Sequence, residues 1–268
     1  MFHQITLDFD TNLFGSLADP NVFTNPAKGR NTGILVDCKN NLIPIVRTTT
    51  VYTEPPRNFS SIHHNIIDKI KTALNLPTLQ LNQAMIEMYN HEYRTMKFHT
   101  DQALDLADNS YICVFSCYNN PETDNVRKLR IKNKTTGEIN ELYMTHNSVI
   151  IFSTKTNKEH VHQIVLEKEN PDKNAIWLGI TFRLSKTFIN FVENVPLLYP
   201  SGIPLRLAND EEKQRFFIYK SQENSNIDFT YPIDLDYTLS SSEESQMSST
   251  SEFAKANECP SGSDYIAG

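Results

Sequence analysis

SYICVFSCYNNPETDNVRKLRIKNKTTGEINELYMTHNSVIIFS, residues 110–153, decides how this chain folds. Four short runs rich in β-branched and aromatic residues lie at 110–118, 127–132, 140–145 and 148–153. YNNPETDN, NKTTGE and MTHN separate them, and the Asn, Asp, Pro and Gly of those breaks are turn formers. Further runs at 79–89, 95–98, 160–166 and 176–184 continue the pattern, the last two parted by KENPDKN. Upstream, FSSIHHNIIDKIKTALNL (59–76) sets Ile62, Ile66, Ile70 and Leu74 on one helical face, with Ser60 or Ser61 as N-cap and Pro77 as stop. His63 and His64 on that helix are expected to face solvent or pack in part. Many short strands after one helix predict a mainly β fold with a flanking helix, a sandwich or barrel rather than a doubly wound sheet.

The chain has 268 residues, 39% of them hydrophobic, and a formal charge of −7. The charge is uneven: residues 206–268 hold 12 acids and 5 bases, which leaves 20 of each sign before them. A neutral body neither demands nor forbids a phosphate-bearing partner. No run approaches the roughly 18 apolar residues of a membrane span, and MFHQITLDFD lacks the basic and apolar regions of a signal peptide. The expectation is an intracellular monomer, cytoplasmic or nuclear, with no membrane partner. Cys38, Cys113, Cys117 and Cys259 form no CxxC pair and read as reduced thiols, Cys113 and Cys117 on one strand face in the core. Around the strand region (42–188), residues 1–41 read as a turn-rich N-terminal segment holding one short strand, 34–37. Residues 189–236 read as an extension in which VENVPLLYPSGIPL (192–205) is a loop and ANDEEKQRFFIYK a short helix. Residues 237–268, Ser/Glu-rich at 238–252, read as a disordered tail whose serines beside Glu243 and Glu244 are candidate phosphorylation sites.

KFHTDQALDL, 97–106, holds His99 and Asp101 two positions apart. On extended chain both side chains point to one face. EHVHQIV, 159–165, supplies His160 and His162, either of which completes a triad of two His and one carboxylate. That donor set suits non-haem Fe(II), with three positions left for a 2-oxo acid and O₂. Beyond it, Arg183 stands in the apolar strand WLGITFRLSKTF (177–188). A buried guanidinium needs an anion, and a carboxylate matches its fork.

The order of these features resembles the AlkB-like 2-oxoglutarate/Fe(II) dioxygenases, from about Ile43 to Arg183. IPIVRTTTVY is similar to the family's substrate-lid segment, AMIEMYNHEYRTMKFHTD to its Tyr-then-HxD stretch, HNSVIIFS with HVHQIV to its metal-His hairpin, and GITFR to its closing strand. The resemblance implies a double-stranded β-helix (jelly-roll) core with His99, Asp101 and His162 as iron ligands and catalytic centre. It places Tyr89 and Arg183 near the carboxylates of 2-oxoglutarate. Two positions depart from the pattern: Glu87 stands where Asn is usual, and Trp177 where a second Arg is usual. A Glu at 87 would repel a carboxylate unless it turns away or is protonated.

The implied cofactors are Fe(2+), 2-oxoglutarate and O2, and the implied reaction is oxidative demethylation of an alkylated base in DNA or RNA, as in DNA repair, with the base extruded or single-stranded. Tyr52 and Arg47, in the lid-like segment, could stack on or pair with that base. NVRKLRIKNK (125–134) lines up Lys128, Arg130, Lys132 and Lys134 on one strand face, a stripe that could contact phosphates or simply be a solvated edge. Two other functions stay open: the same oxidation on a protein or small molecule, and a non-catalytic metal-binding β-helix that docks a partner.

Overall fold

A computed structural model describes residues 1–240. The readings placed on Cys259 and on the serines near Glu243 lie outside the described residues. Seventeen strands are described: β1 (His3–Thr6), β2 (Thr24–Ala27), β3 (Arg30–Val36), β4 (Ile43–Ile45), β5 (Arg57–Asn58), β6 (Gln83–Tyr89), β7 (Tyr111–Tyr118), β8 (Arg127–Asn133), β9 (Ile139–Met144), β10 (Ser148–Ser153), β11 (His160–Val165), β12 (Trp177–Arg183), β13 (Thr187–Val192), β14 (Val195–Tyr199), β15 (Ile203–Pro204), β16 (Arg206–Leu207) and β17 (Tyr237–Thr238). The α-helices are α1 (Phe14–Leu17), α2 (Ser61–Leu74), α3 (Thr154–Glu159) and α4 (Asp210–Ser225). Among the described residues no helix is long and apolar enough to cross a membrane.

The large sheet runs β1-β10-β7-β12-β6-β3-β2, and a small sheet runs β11-β8-β9. Residues 95–99 extend the small sheet by bridging β11 at Thr95–Val165 and His99–His162. From β6 to β12 the chain therefore alternates between two antiparallel sheets, the winding of a double-stranded β-helix. Turn chemistry sets the register. Between β8 and β9, Asn133 Oδ1 accepts from the amides of Thr135 and Thr136, both at 2.9 Å, and Gly137 takes a positive φ of 74°.

Strands β7, β10 and β12 are buried almost throughout, because both faces are covered. One face packs Cys113, Phe115, Cys117, Ile180 and Phe182 against Ile66, Ile67 and Ile70 of α2. The other packs Ile112, Val114, Ile150 and Phe152 against Leu129, Ile131 and Ile164 of the small sheet. The strand register sends alternate residues into that second space: Arg183, Thr181, Gly179 and Trp177 of β12, opposite Gln83, Met85, Glu87 and Tyr89 of β6. Several of these are polar, and they form the wall of the site.

Helix α2 begins at the predicted serine. The Ser60 amide donates to Nδ1 of His63 at 2.9 Å, and Asn75 ends the helix in the left-handed region at φ 52°. His63 is buried and stacked on Phe59, not solvent-facing. Burial lowers its pKa from 6.5 to about 4, with His64 adding repulsion. The unfolded chain thus takes up this proton at a higher pH than the fold does. Stability is complete above pH 6.5 and falls by up to about 3 kcal/mol as pH drops to 4. Urea unfolding of wild type and His63→Gln at pH 7 and pH 4.5 checks this. The variant should lack that share of the loss, and equal losses in both would count against it.

Three expectations need correction. Residues 1–41 are no separate segment, since β1, β2 and β3 belong to the large sheet and β3 pairs with β6 along its whole length. VENVPLLYPSGIPL is no loop: β14 pairs with β13 and β15, its prolines tolerated near strand ends and edges. Residues 237–240 are part of the fold, because Leu235, Tyr237 and Leu239 alternate into a cluster with Phe216 and Ala208. Cys113 and Cys117 are free and buried, and burial pushes both thiols up in pKa.

Candidate metal centre

The centre starts from a backbone pairing. His99 and His162 exchange both main-chain hydrogen bonds, at 2.9 and 2.7 Å. That pairing puts their side chains side by side on one face, and the rings lie 4.5 Å apart between centroids. Asp101, two residues on, returns to the same face. Its Oδ1 is 3.5 Å from His162 Nε2 and 3.8 Å from His99 Nε2. One donor atom from each of the three residues lies within 4.8 Å of the others, and no other trio of this kind occurs among the described residues. His160 points elsewhere. Its Nδ1 sits 2.9 Å from the Thr156 carbonyl, and its Nε2 lies 3.3 Å from Asn133 Nδ2.

The protonation states suit a cation. Burial, then the neighbouring His162 ring, lowers the His99 pKa from 6.5 to about 3, so this imidazole is neutral. Its Nδ1 lies 3.1 Å from the Lys97 carbonyl. A proton on Nδ1 donates there and leaves the Nε2 lone pair facing Asp101. Burial alone would raise Asp101, but the His162 imidazole and the Arg183 guanidinium outweigh it and hold the carboxyl well below its ordinary range.

Arg183 is fully buried beside this trio. Nε donates to Gln83 Oε1 at 3.1 Å, and Nη1 is 3.6 Å from Asp101 Oδ2. Its Nη2 is buried with no hydrogen-bond partner, as are Asp101 Oδ2, His162 Nδ1, Tyr89 OH, Trp177 Nε1, Ser116 Oγ and Thr32 Oγ1. Native interiors leave few such groups unmatched. Here several line the same inner face, which marks a place built for a polar ligand.

Glu87 is met by a cation. Arg30, one strand over on β3, gives both Nε and Nη2 to Glu87 Oε1 at 3.0 and 2.7 Å. Tyr89 is packed between Tyr93 and Trp177, with ring centroids at 4.6 and 4.8 Å, and the Arg127 guanidinium lies 5.1 Å from its ring centre. The Trp177 indole lies over Gly179 so closely that a Cβ there would come within 2.1 Å of it. A glycine at 179 is what lets the tryptophan lie down along its own strand.

The substrate-side candidates fare differently. Arg47 is buried and committed, with Nε and Nη2 on Asp105 and Nη1 on the carbonyls of Leu235 and Tyr237. It does not present its guanidinium to a base. Tyr52 is buried too, its hydroxyl 3.2 Å from Met85 Sδ, on the inner face that carries Glu87 and Arg183. Two members of the basic stripe are neutralised. Lys128 Nζ lies 2.9 Å from both Glu141 and Glu167, and Arg130 binds the same two carboxylates. Lys134 donates to the Glu223 carbonyl at 2.6 Å. Lys128 and Arg130 are thus held by carboxylates on a solvated face of the small sheet rather than standing as free phosphate contacts.

No family model and no curated protein matches this chain. Many solved structures resemble it. One is OsALKBH1, at TM-score 0.42 and 13% identity, covering 60% of this chain and 84% of that one. Another is a Pseudomonas putida prolyl-4-hydroxylase, at TM-score 0.40 and 15% identity, covering 68% of this chain and 92% of that one.

Sequence reasoning missed the residues that hold the centre in place. Asn157 of α3 accepts from the Asp101 amide at 3.0 Å and donates to the Asp101 carbonyl at 2.8 Å. Arg127 ties down the turn after β6 through the carbonyls of Tyr93 and Asn90, at 2.8 and 2.7 Å. Its position on the inward face of β8 was the available signal, as an Arg in phase with Leu129 and Ile131.

Proposed function

We propose that this chain is an Fe(II)-dependent oxygenase that takes 2-oxoglutarate and O₂. One observation carries the reading: His99, Asp101 and His162 converge on the inner face beside the unpartnered buried nitrogen of Arg183. The donor set fits the metal. Two imidazoles and one carboxylate suit Fe(II) and leave positions open, and Arg183 Nη2 offers a donor to a carboxylate. When bound, iron with 2-oxoglutarate and O₂ supplies oxidation of a C–H bond coupled to release of succinate and CO₂.

The chain's own residues orient and enclose. The Lys97 carbonyl holds His99 in the tautomer that frees Nε2. Gln83 anchors Nε of Arg183 and so aims the rest of the fork. Ile112, Val114, Ile131 and Phe152 wall the space with hydrocarbon and exclude water. Tyr52, tucked against Met85, closes it from the 46–56 segment.

The finer reading, demethylation of an alkylated base, keeps Tyr52 of its substrate-side candidates. A protein side chain or small molecule is favoured by a specific observation: Lys128 and Arg130 are neutralised by Glu141 and Glu167, and Arg47 is spent on Asp105. Anaerobic titration with Fe(II) and 2-oxoglutarate should give a metal-to-ligand charge-transfer band, and its absence under conditions where a control oxygenase shows one would sink the oxygenase. Succinate release then sorts the substrates. Stimulation by methylated oligonucleotides supports the base reading, and stimulation by a peptide pool alone supports the other.

A further inference from the structure

We infer that α4, far along the chain from the metal-binding strands, positions the H-x-D loop, with Asn224 and Glu223 as the positioning residues. The inference rests on His99, Asp101 and His162 being metal ligands.

After His99 the chain leaves the sheet. The polar main-chain groups of residues 100–103 therefore have no ladder partners, yet lie in buried surroundings and must be satisfied. Side chains do it from two sides. Asn157 takes both groups of Asp101. Helix α4 takes three more: the Thr100 amide donates to Asn224 Oδ1 at 2.8 Å, Lys220 Nζ donates to the Thr100 carbonyl, and the Ala103 amide donates to Glu223 Oε1 at 2.8 Å. Lys220, Glu223 and Asn224 are spaced i, i+3 and i+4, so one helical face meets the loop.

That face is itself fixed. The second Glu223 oxygen accepts from Tyr231 OH at 2.9 Å and from Lys220 Nζ at 3.0 Å. Phe216 is fully buried among Ala208, Leu235, Tyr237 and Leu239. Lys134 donates to the Glu223 carbonyl, where a helix end leaves carbonyls over. Thr100 sits between the two ligands of the loop. A turn of its peptide plane moves both His99 and Asp101, and metal sites tolerate ligand displacements of only about 0.2 Å. Helix α4 thus belongs to the metal centre.

The test uses the full chain and Co(II), read by visible absorption, alongside the apo melting temperature. Asn224 is half-buried in the last turn of α4, and alanine favours helix, so Asn224→Ala should fold. Co(II) affinity should fall at least about tenfold, as for other groups that orient metal ligands, with a changed spectrum and an apo melting temperature near wild type. Asn224→Asp keeps an oxygen for the Thr100 amide and should restore both affinity and spectrum. Three results would overturn the inference: wild-type binding in Asn224→Ala, equal loss in Asn224→Asp, or a loss that merely tracks a lowered apo melting temperature. A wild-type chain that binds no Co(II) removes the metal-centre reading and this inference with it.

Discussion

Asp101→Asn should abolish metal binding while His160→Ala leaves it intact. Asp101 supplies the one carboxylate of the trio, and its Oδ1 faces both histidine Nε2 atoms. An amide of the same shape is a far weaker ligand for a divalent ion. Residues that only orient ligands already cost 10- to 100-fold, so losing a ligand should exceed about 100-fold. The substitution has a second effect. Asp101 is the carboxylate that faces Arg183, which is 2% exposed. Removing one partner of a buried pair costs roughly 3–5 kcal/mol, so the apo variant should also melt lower. The His160 ring meets the Thr156 carbonyl, Asn133 and the Phe2 ring, and its loss touches neither the trio nor Arg183. Isothermal titration with Mn(II) decides it. Undiminished binding in Asp101→Asn, or lost binding in His160→Ala, would contradict the assignment of the centre.

How far the centre was readable follows from the range of each interaction. The H-x-D pair was legible because strand alternation is a local rule: two positions on, the same face. The histidine-bearing strand was legible as a strand, but His160 and His162 share its phase. What separates them is the pairing of His99 with His162, a contact across the small sheet that alternation alone does not specify. Glu87 looked like a defect when judged by its own strand, and its partner Arg30 lies 57 residues earlier in the chain. The clamp from α4 was invisible for the same reason. Its residues read as an ordinary polar helix, and only the unmet main-chain groups of residues 100–103 give them a purpose. The strands from β6 to β12 were found throughout, because continuous apolar runs and turn formers are local. The boundary at 236 was misplaced because Leu235, Tyr237 and Leu239 are too few to stand out before a Ser/Glu-rich stretch, although a waiting Phe216 makes them core.

Arg47→Met should lower stability by about 3–5 kcal/mol, the range for breaking a buried ion pair from one side. Asp105 is fully buried, and Arg47 meets it through Nε, Nη2 and its own main-chain amide, the last at 2.7 Å. The methionine fills much of the aliphatic volume but leaves a buried carboxylate facing hydrocarbon. At about 2–4 °C per kcal/mol for a domain of this size, the melting temperature should drop by roughly 10 °C. Replacing both partners, Arg47→Met with Asp105→Leu, removes the stranded charge and should recover part of the loss, since the two sites are in contact and will not add. The cycle separates two uses of this arginine. If Arg47 served an incoming substrate, the single variant would keep its melting temperature and lose substrate affinity alone. If it is a strut between the 46–56 segment, the metal-binding loop and the strand at 237–238, the single variant loses stability and the double variant regains some. Differential scanning calorimetry on the two single variants, the double variant and wild type distinguishes these outcomes, and the four hydrogen-bonded groups around the guanidinium favour the strut.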